Sequence, residues 1–270
     1  MEISVSKQLE KDIIKKYRKD IWSKFIKGIK KYNLIEDGDR VAVAMSGGKD
    51  SLLLAKLFQE LQKHPLVKFE LVFISMDPGY SDENLQLHKD NSERLNVPLN
   101  IEKSNIFNIL DNTAKDFPCY LCARMRRGFL YNMAKEKGCN KLALGHHFDD
   151  VIETTMLNLM YSGTFKTMLP KIKSKNFEGL ELIRPMYLIK EKDIIRIMES
   201  NAVYSMDCGC SVASGRVSSK RTEIKQLIRE MKKGFKDVDK SIFRAAENVN
   251  LDSIVSYTKD GERFSFYDDY

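Results

Sequence analysis

The sequence predicts an α/β fold, a mostly parallel five-stranded sheet with helices on both faces and further helices at the N-terminal and C-terminal ends. Three observations predict it. Short apolar runs alternate with stretches of helical periodicity, the pattern of strand–helix–strand units with right-handed crossovers. Polar segments rich in Gly, His and Asp recur just after those runs, where the carboxyl ends of parallel strands hold ligands. The 270 residues suffice to bury the core of one α/β domain with appended helices.

Residues 8–32 carry Ile13, Ile14, Tyr17, Ile21, Phe25 and Ile29 at helical spacing between lysines, which predicts one amphipathic leading helix. Its basic face (Lys15, Lys16, Lys19, Lys27, Lys30, Lys31) reads as solvated surface, or as a phosphate contact if the protein handles RNA. Trp22, the single tryptophan, reads as packing. After the turn Glu36-Asp37-Gly38-Asp39 come a first strand over 40–45, a glycine loop, and a helix with the face Leu53, Leu54, Leu57, Phe58 and Leu61 that His64-Pro65 ends. A second strand, 69–75, leads to Asp77-Pro78-Gly79-Tyr80; 82–95 predicts a helix and 99–102 a third strand. A polar stretch then opens, at Pro118-Cys119-Tyr120-Leu121-Cys122, a helix bearing Met125, Phe129, Leu130 and Met133. The fourth strand, 141–144, delivers Gly145-His146-His147-Phe148-Asp149-Asp150 and a helix through Ile152, Met156, Leu159 and Met160. Residues 164–176 read as a basic loop with Lys166, Lys171, Lys173 and Lys175; 180–186 as a fifth strand that Pro185 closes; 191–199 as a helix. Asp207-Cys208-Gly209-Cys210 precedes two charged helices, about 216–233 and 239–250, and a polar, loose tail.

A net charge of +7 permits a polyanionic partner without requiring one. No apolar run approaches membrane-spanning length and the first residues lack the apolar core of a signal peptide, so a cytoplasmic protein without a membrane partner is expected. In a reducing compartment the clustered pairs Cys119/Cys122 and Cys208/Cys210 read as ligands or catalytic groups, and the isolated Cys139 as a core thiol.

The turn Ser46-Gly47-Gly48-Lys49-Asp50-Ser51 joins a strand to a helix N-terminus and suits an anion. It is not a Walker loop, because Val43 and Asp50 stand where a glycine and a Ser or Thr are required. Asp150 and Glu153 have capping-box spacing, with Asp in the place of Ser or Thr, and are expected to start their helix; at least one of His146, Asp149 and Asp150 is expected to face phosphate or substrate. From the residues alone the two close pairs read as a structural zinc site, although Cys208-Gly209-Cys210 is tighter than usual zinc-knuckle spacing, while a redox pair would need a thioredoxin-like setting that this order of elements does not supply.

Three motifs, Ser46–Ser51, Pro118–Gly128 (Pro-Cys-Tyr-Leu-Cys-Ala-Arg-Met-Arg-Arg-Gly) and Leu144–Thr154 (Leu-Gly-His-His-Phe-Asp-Asp-Val-Ile-Glu-Thr), resemble the tRNA 2-thiocytidine synthetase family of pyrophosphate-loop ATP pyrophosphatases, over about residues 20–235. The first and third motifs are shared with the wider group, including lysidine synthetases; the cysteine-bearing second picks out the thiolases. The resemblance implies an adenine nucleotide alpha hydrolase-like, Rossmann-like sheet, divided as an N-terminal amphipathic helix (1–35), an ATP-binding domain (36–200), and a cysteine-bearing loop with C-terminal helices (201–270). It implies an enzyme that adenylates a tRNA pyrimidine carbonyl and exchanges oxygen for sulfur. Ser46, Gly47, Gly48, Lys49, Asp50, Ser51, Asp77 and Gly145 would hold ATP; Asp50, Asp150 and His146 would serve catalysis, Asp50 or Asp150 through magnesium. A 4Fe-4S cluster would sit on Cys119, Cys122 and Cys210, with Cys208 as the alternate ligand because the usual Cys-x-x-Cys is broken by Ala213; zinc is the competing metal. Arg124, Arg126, Arg127, Lys166 and Lys171 are candidates for tRNA phosphates, and Tyr80, Phe148 and Phe165 for a splayed base. The expected partners are tRNA, a sulfur donor (a cysteine desulfurase or free sulfide) and a second copy of the chain. The rival acceptors are another tRNA base or a small molecule, and a non-enzymatic ATP- and zinc-binding adaptor is the remaining alternative.

Overall fold

The computed structural model describes residues 4–104, 106, 118–206 and 220–269, with side chains throughout except at 118–123 and 269. The chain forms two compact units, Met1–Val151 with Leu169–Ser219, and Ile152–Met168 with Lys220–Tyr270.

The leading segment is not one helix. Helices α1 (Val5–Ile14) and α2 (Ser23–Lys31) flank a π-helical turn, Arg18–Trp22. The cause lies in the apolar spacing: Ile13, Tyr17, Ile21, Phe25 and Ile29 fall every fourth residue, and all are buried. Four residues of α-helix overshoot a full turn by ~40°, so an unbroken helix would swing this row off the core. The wider turn, opened by the Tyr17 N–H donating to Asp12 O at 2.8 Å, takes up the excess. Gly28 lets α2 lie on the chain after β6 (Glu181–Ile183), since a Cβ there would stand 3.0 Å from Pro185 O.

The sheet of the first unit comprises β1 (Asp39–Ala44), β2 (Phe69–Asp77), β3 (Leu99–Lys103), β4 (Lys141–Ala143), β5 (Lys171–Lys173) and β6, in the order β3-β2-β1-β4-β6-β5. All neighbours are parallel except β5, which pairs antiparallel to β6 with Ile172 opposite Leu182. The α/β expectation therefore holds with one strand more: β5 lies inside the stretch read as a basic loop, too short and too lysine-rich for its alternation to register. The fifth predicted strand shrinks to β6, stopping before Pro185. The strand order reverses between β1 and β4, which makes their carboxyl ends the crevice where doubly wound sheets bind ligands.

Alternation along β1 sends Val41 and Val43 to one face and Ala42 and Ala44 to the other. The first face packs against α1, α2, α3 (Lys49–Lys63) and α7 (Glu191–Ser200); the second against α5 (Pro118–Glu136). Helix α4 (Asp82–Arg94) starts at Ser81, whose side chain accepts from Asn84 N–H. Helix α3 is so enclosed that Lys56 is buried too; its Nζ donates to Ser6 Oγ (2.8 Å), Glu10 Oε1 (2.7 Å), Gln59 Oε1 (2.7 Å) and Leu95 O (3.0 Å), which satisfies the charge.

Helix α6 (Phe148–Ser162) starts in the first unit and continues in the second. There it is joined by α8 (Lys220–Gly234) through Arg221 Nε donating to Glu153 Oε2 at 2.7 Å. Helix α9 (Val238–Ala245) follows, shorter than predicted. The tail is not loose: β7 (Ser256–Lys259) and β8 (Glu262–Ser265) form a hairpin around Asp260-Gly261, both at positive φ, with Tyr257 stacked on Phe264 at 5.0 Å.

Candidate active site

Strand β1 ends in an apolar core, and Met45 N–H still donates to Ile74 O at 2.8 Å, so the chain enters the turn rigidly. Gly47 takes φ +77°, a conformation that disfavours any side chain; a Cβ there would also meet Met206 Cγ at 2.7 Å. Ser51 ties the turn to the helix: its Oγ donates to Gly48 O at 2.9 Å and accepts from Ser46 N–H at 3.2 Å. Gly48 is the N-cap of α3 and offers no side-chain acceptor, so the first-turn N–H groups and the positive end of the dipole face the crevice uncapped.

Two charged side chains stand at that mouth. Lys49 Nζ lies 3.1 Å from Asp50 Oδ2 and 3.4 Å from Glu191 Oε1; burial works against its charge, but the two carboxylates prevail and hold its pKa above the usual lysine value. Asp50 goes the other way, its pKa raised chiefly by burial despite Lys49 and His147 beside it. Its Oδ1 is buried and has no hydrogen-bond partner among the described residues.

Beyond β4, Gly145 presses onto the same turn; a Cβ would lie 3.2 Å from Asp50 C and Ser51 N. His147 then caps α6 reciprocally with Asp150: His147 N–H donates to Asp150 Oδ2 (2.9 Å) and Asp150 N–H to His147 Nδ1 (3.4 Å). The capping box is therefore His147–Asp150, not Asp150–Glu153, because the helix begins three residues earlier than that spacing assumed; Glu153 instead holds Arg221. His147 Nε2 lies 3.9 Å from Asp50 Oδ1. Asp149 Oδ2 accepts from Glu191 N–H at 2.7 Å and so starts α7. His146 is half-buried directly after Gly145.

Asp77, at the carboxyl end of β2, uses Oδ1 to accept from Gly79 N–H (2.9 Å) and Tyr80 N–H (2.8 Å), which fixes the loop bordering the crevice. His88 of α4 lies wholly buried beneath the glycine turn. Its Nε2 bonds Ser75 Oγ at 2.9 Å, its Nδ1 has no hydrogen-bond partner among the described residues, and burial depresses its pKa to about 4. Sequence reading missed both His88 and His147. The adjacent histidine pair was a signal for the second; a single histidine in a polar helix gave none for the first.

Cys119 lies in the first turn of α5 and Cys122 three residues on, in a helix whose Met125 packs with Met76, next to Asp77; the side chains of both, and Cys208 and Cys210 altogether, fall outside the described residues. Met206, two residues before Cys208, donates its N–H to Gly47 O at 3.3 Å. Cys139 is buried after α5, its thiol pKa pushed up by that burial. Arg124 and Arg127 are exposed and Arg126 half-buried on α5; Lys166 is exposed in the second unit. Lys171 is engaged by Glu181 at 3.0 Å and Glu36 at 3.5 Å and fastens β5 to the sheet.

A glycine turn that exposes a helix N-terminus at a switch point defines a nucleotide-binding α/β domain, and residues 18–208 match the PP-loop domain family. Among curated relatives, a tRNA-cytidine(32) 2-sulfurtransferase of Syntrophotalea carbinolica is 36% identical over 83% of this chain and 86% of its own. One of Geotalea uraniireducens is 37% identical over 86% of this chain and 93% of its own. The chain belongs to this tRNA-cytidine(32) 2-sulfurtransferase family. Its fold is shared with a U34-tRNA thiolase of Methanococcus maripaludis solved with its 4Fe-4S cluster, at a TM-score of 0.67, 24% identity, and coverage of 84% of this chain and 77% of that one. Among the described residues no helix is long and apolar enough to cross a membrane.

Proposed function

We propose that the chain is an ATP-dependent tRNA sulfurtransferase that adenylates the C2 carbonyl oxygen of an anticodon-loop cytidine and replaces that oxygen with sulfur. The carrying observation is the uncapped N-terminus of α3 set against a buried, unpartnered carboxylate oxygen, Asp50 Oδ1. The N–H groups of the turn and the hydroxyl of Ser46 receive phosphate oxygens, Ser51 holds the turn in shape from within, and Lys49 offsets their charge. The carbonyl oxygen attacks the α-phosphorus, pyrophosphate leaves, and sulfur then displaces AMP, which carries the oxygen away.

Magnesium fits here: the buried Asp50 Oδ1 would help to hold it, and it would offset phosphate charge as pyrophosphate leaves. His147, held in place by the Asp150 N–H, stands with Nε2 3.9 Å from Asp50 Oδ1. Asp150 acts by placing His147, and Asp77 shapes the loop on the far side of the turn.

A 4Fe-4S cluster fits the thiol inventory: with Cys139 buried, four thiols remain, two of them at the N-terminal end of α5 and two just after a residue bonded to the glycine turn. Cys119, Cys122 and Cys210 would hold it, with Cys208 the alternate. It would supply an iron position able to present sulfide.

The test is anaerobic protein with ATP, magnesium, sulfide and a tRNA transcript. Pyrophosphate, 2-thiocytidine and bound iron and sulfide are expected, with thiolation abolished by Cys119→Ala. Zinc in place of iron, or thiolation surviving that substitution, would sink the cluster assignment; ADP in place of pyrophosphate would sink the adenylation.

A further inference from the structure

The first unit carries a second feature suited to RNA. Along α2 runs an open hollow of about 430 Å³ lined by Arg18, Trp22, Ile26, Lys27, Lys30 and Lys31. Its floor is apolar: Trp22, half-buried, stacks on the buried Phe25 with ring centroids 5.8 Å apart, and Ile26 lies one turn further on. Its rim carries four exposed cations and no carboxylate. Arg18, Lys27 and Lys30 enter no ion pair among the described residues, whereas the nearby cations do. Lys24 holds Asp193 at 3.4 Å, and Arg196 holds Asp20 at 3.1 Å, so the adjacent acids are already taken.

The π-helical turn completes the arrangement. Arg18, Trp22, Ile26 and Lys30 form a row of every fourth residue, and the same wide turn that keeps Tyr17 and Ile21 in the core holds Arg18 in line with Trp22 on the outside. Arg18, Lys27 and Lys30 repel one another around an aromatic floor, and a polyanion relieves that repulsion. A protein's acidic face would meet the rim but has no use for the indole. Loop or single-stranded RNA offers phosphates to the rim and an unstacked base to the ring.

We propose that this groove docks the tRNA substrate, with Arg18, Lys27 and Lys30 on backbone phosphates and Trp22 as the platform for an unpaired base. The proposal rests on tRNA being the substrate, and Trp22 provides its own reporter because the chain has no other tryptophan.

Titrating full-length protein with a tRNA transcript should quench Trp22 emission to saturation, while ATP and magnesium alone leave it unchanged. Arg18→Gln/Lys27→Gln/Lys30→Gln should weaken tRNA binding at least about tenfold and lower the slope of log affinity against log salt by about 2, at ~0.7 per phosphate contact. Trp22→Ala should weaken binding about fivefold or more, and Trp22→Phe much less, since a ring remains to stack. The exposed triple variant should keep its melting temperature. Unchanged tRNA affinity in that variant together with an unquenched Trp22 overturns the groove and leaves thiolation standing. Failure of wild-type protein to bind tRNA at all overturns both. Quenching by polyglutamate as strong as by tRNA would overturn it in favour of an acidic protein partner. Quenching by tRNA with loss of affinity in the triple variant, but no 2-thiocytidine formed, would keep the groove and remove the thiolation.

Discussion

Two turns face each other at the switch point, and they treat their helix N-termini in opposite ways. After β1, Gly48 caps α3 with nothing, leaving first-turn N–H groups and dipole directed into the crevice. After β4, His147 and Asp150 cap α6 reciprocally, so that end is spent on holding its own side chains in place. One turn is built to receive an anion and the other to position groups against it; Gly145, where even a Cβ would come within 3.2 Å of the Ser51 nitrogen, keeps the two in fixed relation.

The largest expected effect comes from making the first turn resemble the second. Gly48 has ordinary extended angles and its Cβ would meet only Ser46 Oγ at 3.5 Å, so Gly48→Asp should fold normally, with its own carboxylate capping α3. ATP binding should then fall roughly 100-fold, about 3 kcal/mol, from like-charge repulsion and occupied donors, measured by calorimetric titration. Unfolding free energy should change by less than about 0.5 kcal/mol. Retained ATP affinity would mean that the helix end does not hold phosphate.

Beneath the first turn, His88 sharpens the contrast through pH. Its folded pKa of about 4 lies below the ordinary histidine value, so the unfolded chain binds the extra proton between roughly pH 6.5 and 4. Stability should therefore drop by about 3 kcal/mol as pH falls through that window and level off below it. In His88→Gln the histidine share of that acid limb should vanish, as followed by urea unfolding at stepped pH.

For the second turn, Asp150→Ala should cost about 1–2 kcal/mol of stability by breaking the capping box. It should also lower turnover more than ATP affinity, because it releases His147 while leaving the glycine turn intact. An equal loss of both would show that the two turns are not separate in function.

The smallest effect is one of sign. Burial raises the Asp50 pKa, so its ionised form is disfavoured in the folded protein and stability declines as pH rises from the usual carboxylate range through the raised value. Asp50→Asn should make the nucleotide-free protein more stable at neutral pH while weakening magnesium-dependent ATP binding. Urea unfolding without nucleotide checks the first, and ATP titration with and without magnesium the second.

The difference between the turns also explains what the sequence made legible. Ser46–Ser51 is readable because its geometry needs glycine at φ +77° and its serines bond locally, so the chemistry is written in adjacent letters. The capping of α6 was misplaced by three residues because both Asp150–Glu153 and His147–Asp150 satisfy the same spacing, and only the end of β4 decides between them. His88 and the β5 pairing depend on contacts between distant segments and leave no local pattern. The hairpin did leave one, Asp260-Gly261 between alternating strands, and the polar composition around it masked that signal. The leading helix shows a subtler case: its row of every fourth residue marks a buried stripe correctly, yet the same row is what breaks the helix.

The most direct measurement follows the oxygen. A tRNA transcript carrying ¹⁸O at the C2 carbonyl of its anticodon-loop cytidine is turned over with ATP, magnesium and sulfide by anaerobically purified protein, and the nucleotide products are weighed by mass spectrometry. The expected result is one ¹⁸O in AMP for each 2-thiocytidine formed, with none in pyrophosphate. Thiolation with unlabelled AMP, or label appearing in water or phosphate alone, would contradict adenylation of the base at the glycine turn.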